Sequence, residues 1–392
     1  MRAAVLRETP LLVGLLTLIG MEATSVLDWL LLQPTLPVLT GLALLSGLVL
    51  LMARGVAHHA DQLAERLGEP LGTLVLTGSV IVIELALIAS TMLTGESNPT
   101  LARDSMFSVL MIVLTGVKGV TVIVAARVQR QGRTQPMQPE DLAAVNQSGS
   151  SAYINLITTI SVLALVLPNF SQDSLEANYS LPINWLLTFV SIGLYGIFLR
   201  GQVGRYRNLF IETRQPQSPE TQLVPDGPLE EPAVEDPADS DTPLSSMLQS
   251  GALMATGLLV LVLIAEAMGS LIETGINDLG LPSSLGGLLV GVLVVAPEAL
   301  NALQAAGKGE LQRSLNTLYG SSLSTLCLTV PAVLAIGEFT GTDVILGLDP
   351  LESVLLVLTL ILVRPISGRV SEIDGLMLLT VGVVWVALQV VS

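Results

Sequence analysis

The sequence predicts an all-α, polytopic membrane protein of about 11 transmembrane helices, built as an inverted 5+5 helix repeat after an extra first helix. Three observations carry this expectation. The 392 residues are 51% hydrophobic and only 13% charged, whereas ordinary soluble domains are about 25% charged. The apolar residues fall in successive runs, most of them long enough to cross a hydrocarbon layer about 30 Å thick. Two of those runs each carry one acid near the midpoint, Glu84 and Glu298, at matching places in the two halves.

The runs lie near 11–31, 36–53, 71–94, 104–125, 151–168 and 183–199, then 247–268, 284–306, 314–337, 343–363 and 374–391. The first follows Arg2 and Arg7, as a signal peptide would, but it is too long and no A-x-A site follows it. It therefore reads as a retained helix. Cys327, inside the ninth run, is the single cysteine, so neither an intrachain disulfide nor a cysteine metal site is expected.

Basic residues orient the runs. With the N-terminus in the cytoplasm, 15 of the 17 Lys and Arg residues fall inside, only Arg103 falls outside, and Lys118 falls within the membrane. This is the positive-inside pattern. Adding or dropping a span scrambles it, so the count supports the helix number.

The segment from Glu212 to Pro243 holds nine acids, seven prolines and one base, Arg214. Such a composition cannot bury a core. It reads as a cytoplasmic tether, with a cation-attracting or regulatory element as the alternative. The expected domains are 1–35, the extra helix; 36–211, the first five-helix repeat; 212–246, the acidic Pro-rich linker; and 247–392, the second repeat. The third run then crosses inside to outside and the eighth outside to inside. Their glutamates sit on antiparallel helices, as in inverted repeats that place ion sites where the halves meet. Short internal similarity points the same way: LARDSMFSVLMIVLTGVKG follows one glutamate helix and LQRSLNTLYGSSLSTLCLTVPAV the other.

An ionised side chain in a bilayer costs roughly 2.5–3.5 kcal/mol on insertion scales, so intramembrane acids generally handle ions or protons. Two carboxylates balance one divalent cation, and they are also neutral when both are protonated. A low-dielectric site penalises the bare anions, so these two states alternate, which is the logic of an antiporter. The alternative for the pair is a structural carboxyl hydrogen-bonded between helices. Calcium needs six to eight oxygen ligands. Pro297 cannot donate to the Leu293 carbonyl, which is left to face a cation. Asn301, three residues beyond Glu298, offers an amide oxygen. Ser79 beside Gly78, and Gly320, Ser321, Ser322, Ser324 and Thr325, offer hydroxyls or close approach, though small residues also serve as helix packing. Glu22 and Glu266 lie in or near the ends of spans; Glu266, with Glu273 and Asp278, reads as an external cation funnel or as solvated helix ends. His58 and His59 read as surface residues of a cytoplasmic loop, with pH sensing as the alternative.

The stretches GSVIVIELALIAS with LARDSMFSVLMI, and PEALNALQAAGKGELQRSLNTLYGSSLSTLCLTVPAV, resemble the repeat motifs of the cation/calcium exchanger superfamily, in its bacterial calcium (sodium)/proton antiporter branch. The resemblance covers nearly the whole chain. It implies five plus five helices in inverted repeat, ion binding and proton carriage by Glu84 and Glu298, and polar site positions at Ser321, Ser322 and Ser324. One departure stands out. Thr115-Gly116 occupies the place of the family's Asn-Gly pair, and Lys118 follows in the same span. Lys118 is either a fixed cation within the site or a residue of the cytoplasmic entrance.

The expected function is secondary exchange of Ca2+ for H+ by alternating access, with Na+ or K+ against H+ as the alternative and a non-transporting membrane protein as the remaining reading. Glu84 and Glu298 are the expected metal ligands, with Thr115, Lys118 and Glu266 as accessory residues. No enzyme signature such as H-E-x-x-H, G-x-S-x-G or a P-loop occurs. No cofactor is expected beyond the transported ion. The expected partners are inorganic cations, protons and the lipid bilayer, not nucleic acid; a homo-oligomer is left open. The expected location is the bacterial inner membrane.

Overall fold

The computed structural model describes residues 2–67, 78–79, 81–85, 88–89, 99–130, 142–170, 181–206, 209, 244–282, 284–341, 343–365 and 368–391. Most of the 71–94 run and nearly all of the acidic linker therefore lie outside the described residues, as does the side chain of Glu266.

Helices dominate, as a chain without water around its backbone requires. They are α1 (Arg2–Thr24), α2 (Val26–Leu31), α3 (Thr35–Leu67), α4 (Leu101–Met111), α5 (Lys118–Arg130), α6 (Gln147–Ser161) and α7 (Leu181–Val203). After the linker come α8 (Leu244–Leu279), α9 (Ser284–Gly307), α10 (Leu311–Ser324), α11 (Val330–Thr340), α12 (Pro350–Leu362) and α13 (Glu372–Val391). Among the described residues eight helical stretches are long and apolar enough to cross a membrane, and 9–24 and 350–362 are shorter apolar helices.

Three spans contain a π turn where the sequence predicts plain helix: Ile112–Val117 joins α4 to α5, Thr325–Thr329 joins α10 to α11, and Val162–Val166 follows α6. A π turn shifts bonding from i+4 to i+5, widens the helix locally and is frequent at functional sites. The first two lie in the spans that follow Glu84 and Glu298 in sequence.

The structure corrects three local expectations. The run 11–31 is not one helix: α1 ends at Thr24 and α2 begins at Val26, with Ser25 between them in the left-handed region at φ 48°. The run 343–363 is helical only from Pro350; residues 343–349 are an irregular strap, tied down by Ile345 N–H to the Pro99 carbonyl at 2.9 Å and Leu348 N–H to the Leu165 carbonyl at 2.7 Å. Pro350 at the start of α12 explains the late start, because its ring disfavours helix at the preceding residue. His58 and His59 are not in a loop. α3 continues to Leu67, and His59 is buried against α8 beside Leu253 and Gly257. A two-residue antiparallel bridge, Ala143–Ala144 with Arg369–Val370, is the only strand pairing among the described residues.

The interior is divided into two cores. Val38, Val49, Met52 and Val56 of α3 meet Val260, Ile264, Met268 and Leu271 of α8, with α1 and α2 against them. The larger core joins α4–α7 to α9–α13 around Met106, Leu110, Ile157, Val290, Leu318 and Trp385. Close helix approach depends on glycine. A Cβ on Gly287 of α9 would stand 2.7 Å from the Asp104 carbonyl carbon of α4, and one on Gly375 of α13 would stand 2.7 Å from the Gly119 carbonyl oxygen of α5. Such contacts let backbones approach where burial of apolar side chains drives nothing, as in lipid. The charged start of α4 is neutralised locally. Arg103 Nε donates to Asp104 Oδ1 at 2.8 Å, Arg103 Nη1 donates to the Gly347 carbonyl at 2.7 Å, and Thr100 donates to Asp104 Oδ2 at 3.0 Å.

Candidate functional site: the paired glutamates

Glu84 is 1% exposed, and both of its oxygens are held by hydroxyls from the other half of the chain. Thr325 Oγ1 donates to Oε2 at 2.8 Å and Thr329 Oγ1 donates to Oε1 at 2.9 Å. The two threonines are four residues apart, at the ends of the π turn, and so present hydroxyls to the same side of the helix. The carboxylate is thereby fixed in orientation, while each oxygen keeps lone-pair capacity for a further partner.

Glu298 is buried at 9% exposure, next to Pro297 inside α9. Its Oε2 accepts no hydrogen bond from the described residues, and among those residues Glu84 is the acid near enough to interact with it electrostatically. Two acids from opposite halves are thus both buried, one of them clamped by hydroxyls and the other not. Burying an acceptor without a partner costs about 1–3 kcal/mol, and more when it is charged. A proton or a cation removes that cost.

The remaining expected residues divide. Ser322 and Ser324 are buried on α10, but their hydroxyls donate to their own helix, to the Leu318 carbonyl at 3.1 Å and the Ser321 carbonyl at 2.9 Å; their oxygens stay acceptors. Ser321 is half-buried beside them, and Ser79 is buried five residues before Glu84. Asn301 is exposed, and it lines a cavity with Pro297, Leu300 and Gln304 along one face of α9, facing Arg54 and His58 of α3. Glu22 is exposed on α1. Among the described residues no three His, Cys, Asp or Glu converge on one point. A cation between the glutamates would therefore draw its other ligands from hydroxyls and backbone carbonyls.

Lys118 is buried at the start of α5 and away from pairing with either glutamate. Its Nζ donates to the Val363 carbonyl at the end of α12 and lies 5.2 Å from the centre of the Tyr319 ring. Among the described residues Asp374 is the acid near enough to act on it electrostatically. Thr115 donates to the Met111 carbonyl and stands against Gly382 of α13, where a Cβ would come within 2.6 Å of its hydroxyl. Residue patterns left Thr329 unnoticed and placed Thr325 only within a cluster of candidate hydroxyls. The available signal was their i, i+4 spacing in TLCLT, immediately after the serine cluster.

A helical membrane bundle with two buried acids, one of them held by hydroxyls, fits a cation transporter rather than an enzyme. The chain belongs to the sodium/calcium exchanger protein family, which matches residues 34–204 and 250–391. It is 31% identical over 344 residues to the sodium-potassium/proton antiporter ChaA of Escherichia coli (strain K12), covering 87% of this chain and 86% of that one. It is 26% identical over 236 residues to a Ca2+/H+ antiporter of Synechocystis, covering 58% of this chain and 62% of that one. Among solved structures, native YfkE superposes with a TM-score of 0.63 at 17% identity, covering 97% of this chain and all of the other, which establishes the shared fold.

Proposed function

We propose that the chain exchanges a cation for protons by alternating access, with Ca2+ as the cation and Glu84 and Glu298 as the shared site. The observation that carries this reading is the buried Glu298 Oε2, which has no hydrogen-bond partner among the described residues, together with the buried Glu84 near enough to interact with it electrostatically. Either two protons or one divalent ion leaves the pair neutral, so each species displaces the other. Thr325 and Thr329 are added to the proposed ligand set, with Ser79, Ser321, Ser322 and Ser324 around it, while Asn301 serves the neighbouring cavity instead. The domain reading is retained, as two inverted five-helix units joined by the acidic linker. It is supported by π turns recurring after each glutamate helix. The N-terminus and linker are read as cytoplasmic, which the charge bias of the loops supports.

A second reading, Na+ or K+ against H+, is favoured by one observation. The match to ChaA is longer and closer than that to the Ca2+/H+ antiporter. The test uses inside-out vesicles carrying an imposed proton gradient, with Ca2+, Na+ and K+ added in turn. Dissipation by Ca2+ supports the first reading and dissipation by Na+ or K+ alone supports the second. No response to any of them removes proton-coupled exchange.

A further inference from the structure

A cavity of about 260 Å³ lies between α3 and α9, outside the carboxylate pair. A liquid water takes about 30 Å³, so the space admits a group of several heavy atoms. Its walls are graded. Leu50, Leu51, Pro297 and Leu300 form one part, and Arg54, His58, Asn301 and Gln304 form the other. In both helices the apolar members come first in sequence and the polar members follow. On the positive-inside orientation both helices run toward the cytoplasm, so the apolar part is deep and the polar part lies at the cytoplasmic interface. From Pro297 to Gln304 is seven residues, roughly 10 Å of helix. Leu51 and Leu300 are 59% and 51% exposed, so the apolar part opens outward.

A cation passage to Glu298 would be polar along its depth and free of fixed positive charge. This cavity has the reverse character, with a guanidinium at its mouth and leucines and proline at its floor. We infer that it binds one anionic phospholipid of the cytoplasmic leaflet. The phosphate meets Arg54 and the side-chain amides of Asn301 and Gln304, and the acyl chains run along Leu51 and Leu300. Arginine matches phosphate oxygens in a two-pronged geometry, and basic clefts at the cytoplasmic side of helical bundles bind lipid headgroups. The lipid would pack on Pro297, the residue before Glu298, where the helix lacks a backbone donor. Binding is independent of which cation is transported.

The test is native mass spectrometry of the purified full-length protein in detergent, with phosphatidylglycerol, phosphatidylcholine or inorganic phosphate added. The wild type should retain phosphatidylglycerol at least tenfold more tightly than phosphatidylcholine, and inorganic phosphate at equal concentration should not displace it. Arg54→Gln should bring phosphatidylglycerol down to the phosphatidylcholine level. Lys308→Gln, at an exposed lysine just beyond α9, should leave the preference unchanged. Equal retention of the two lipids by the wild type, an unchanged preference in Arg54→Gln, or loss of it in Lys308→Gln would overturn the assignment. Displacement by inorganic phosphate would mean a free-anion site and overturn it equally.

Discussion

Thr329 donates its hydroxyl to Glu84 Oε1 at 2.9 Å, a contact spanning 245 residues of sequence. With Thr325 on the other oxygen, it ties the acid of one half of the chain to the π turn of the other. A hydrogen bond to a charged group contributes about 1.5–3 kcal/mol. Thr329→Val keeps the shape and removes the donor. It should weaken the apparent cation affinity roughly 10-fold to 100-fold, at 1.4 kcal/mol per decade, while Thr329→Ser retains most of it. Cation dependence of exchange in reconstituted vesicles checks this, and equal affinity in Thr329→Val and wild type would deny the clamp a role.

Glu84→Gln and Glu298→Gln should each abolish coupled exchange while the protein still inserts. The amide keeps the volume but can neither balance a cation nor release a proton. Membrane content and vesicle transport are read together, and near-normal coupled flux in either variant would reject a shared site.

Lys118→Met should lower thermal stability and leave the ion preference unchanged. The ammonium bonds the Val363 carbonyl and lies over Tyr319, and so joins α5, α10 and α12 without touching the carboxylates. Losing a charged donor to a buried carbonyl costs about 1.5–3 kcal/mol. A changed cation preference with unchanged melting would return Lys118 to the site.

Gly287→Ala should destabilise the bundle by about 1–3 kcal/mol, because the methyl meets the backbone at Asp104 rather than a yielding side chain. Gly251→Ala, where nothing lies within 4 Å, is the control and should be neutral or mildly stabilising. Similar melting temperatures for the two variants would show that the α4–α9 approach has slack.

Partial deletion within 216–242, keeping the two halves joined, should leave exchange intact, with at most a modest change in apparent cation affinity. Surface acids concentrate cations only within about a Debye length, roughly 8 Å at physiological salt. Complete loss of transport in a stably inserted variant would assign the linker an ordered role.

The membrane class and the glutamate pair were legible because both are written in hydropathy: long apolar runs, and single charges that such runs do not tolerate without reason. The threonine clamp was not. A hydroxyl in an apolar helix is as common in packing as in binding, and only the fold brings Thr325 and Thr329 to Glu84 from the opposite half of the chain. The π turns were equally hidden, since nothing in the composition of TLCLT distinguishes i+5 from i+4 bonding. Asn301 shows the limit of spacing arguments. Three residues from Glu298 places it near the same face, yet it is exposed at the cavity with Arg54. The length of α3 was missed because its charged extension past Arg54 reads as a loop by hydropathy, although its helical pattern continues to Leu67.

The central claim is that a cation and protons compete for the same pair of carboxyls. It is tested most directly by adding Ca2+, then Na+ or K+, to the purified protein in weakly buffered detergent solution and measuring proton release together with cation binding. The transported cation should release protons from the wild type, and the release should be lost in Glu84→Gln and in Glu298→Gln. Cation binding without proton release, or undiminished release in the double variant, would contradict it.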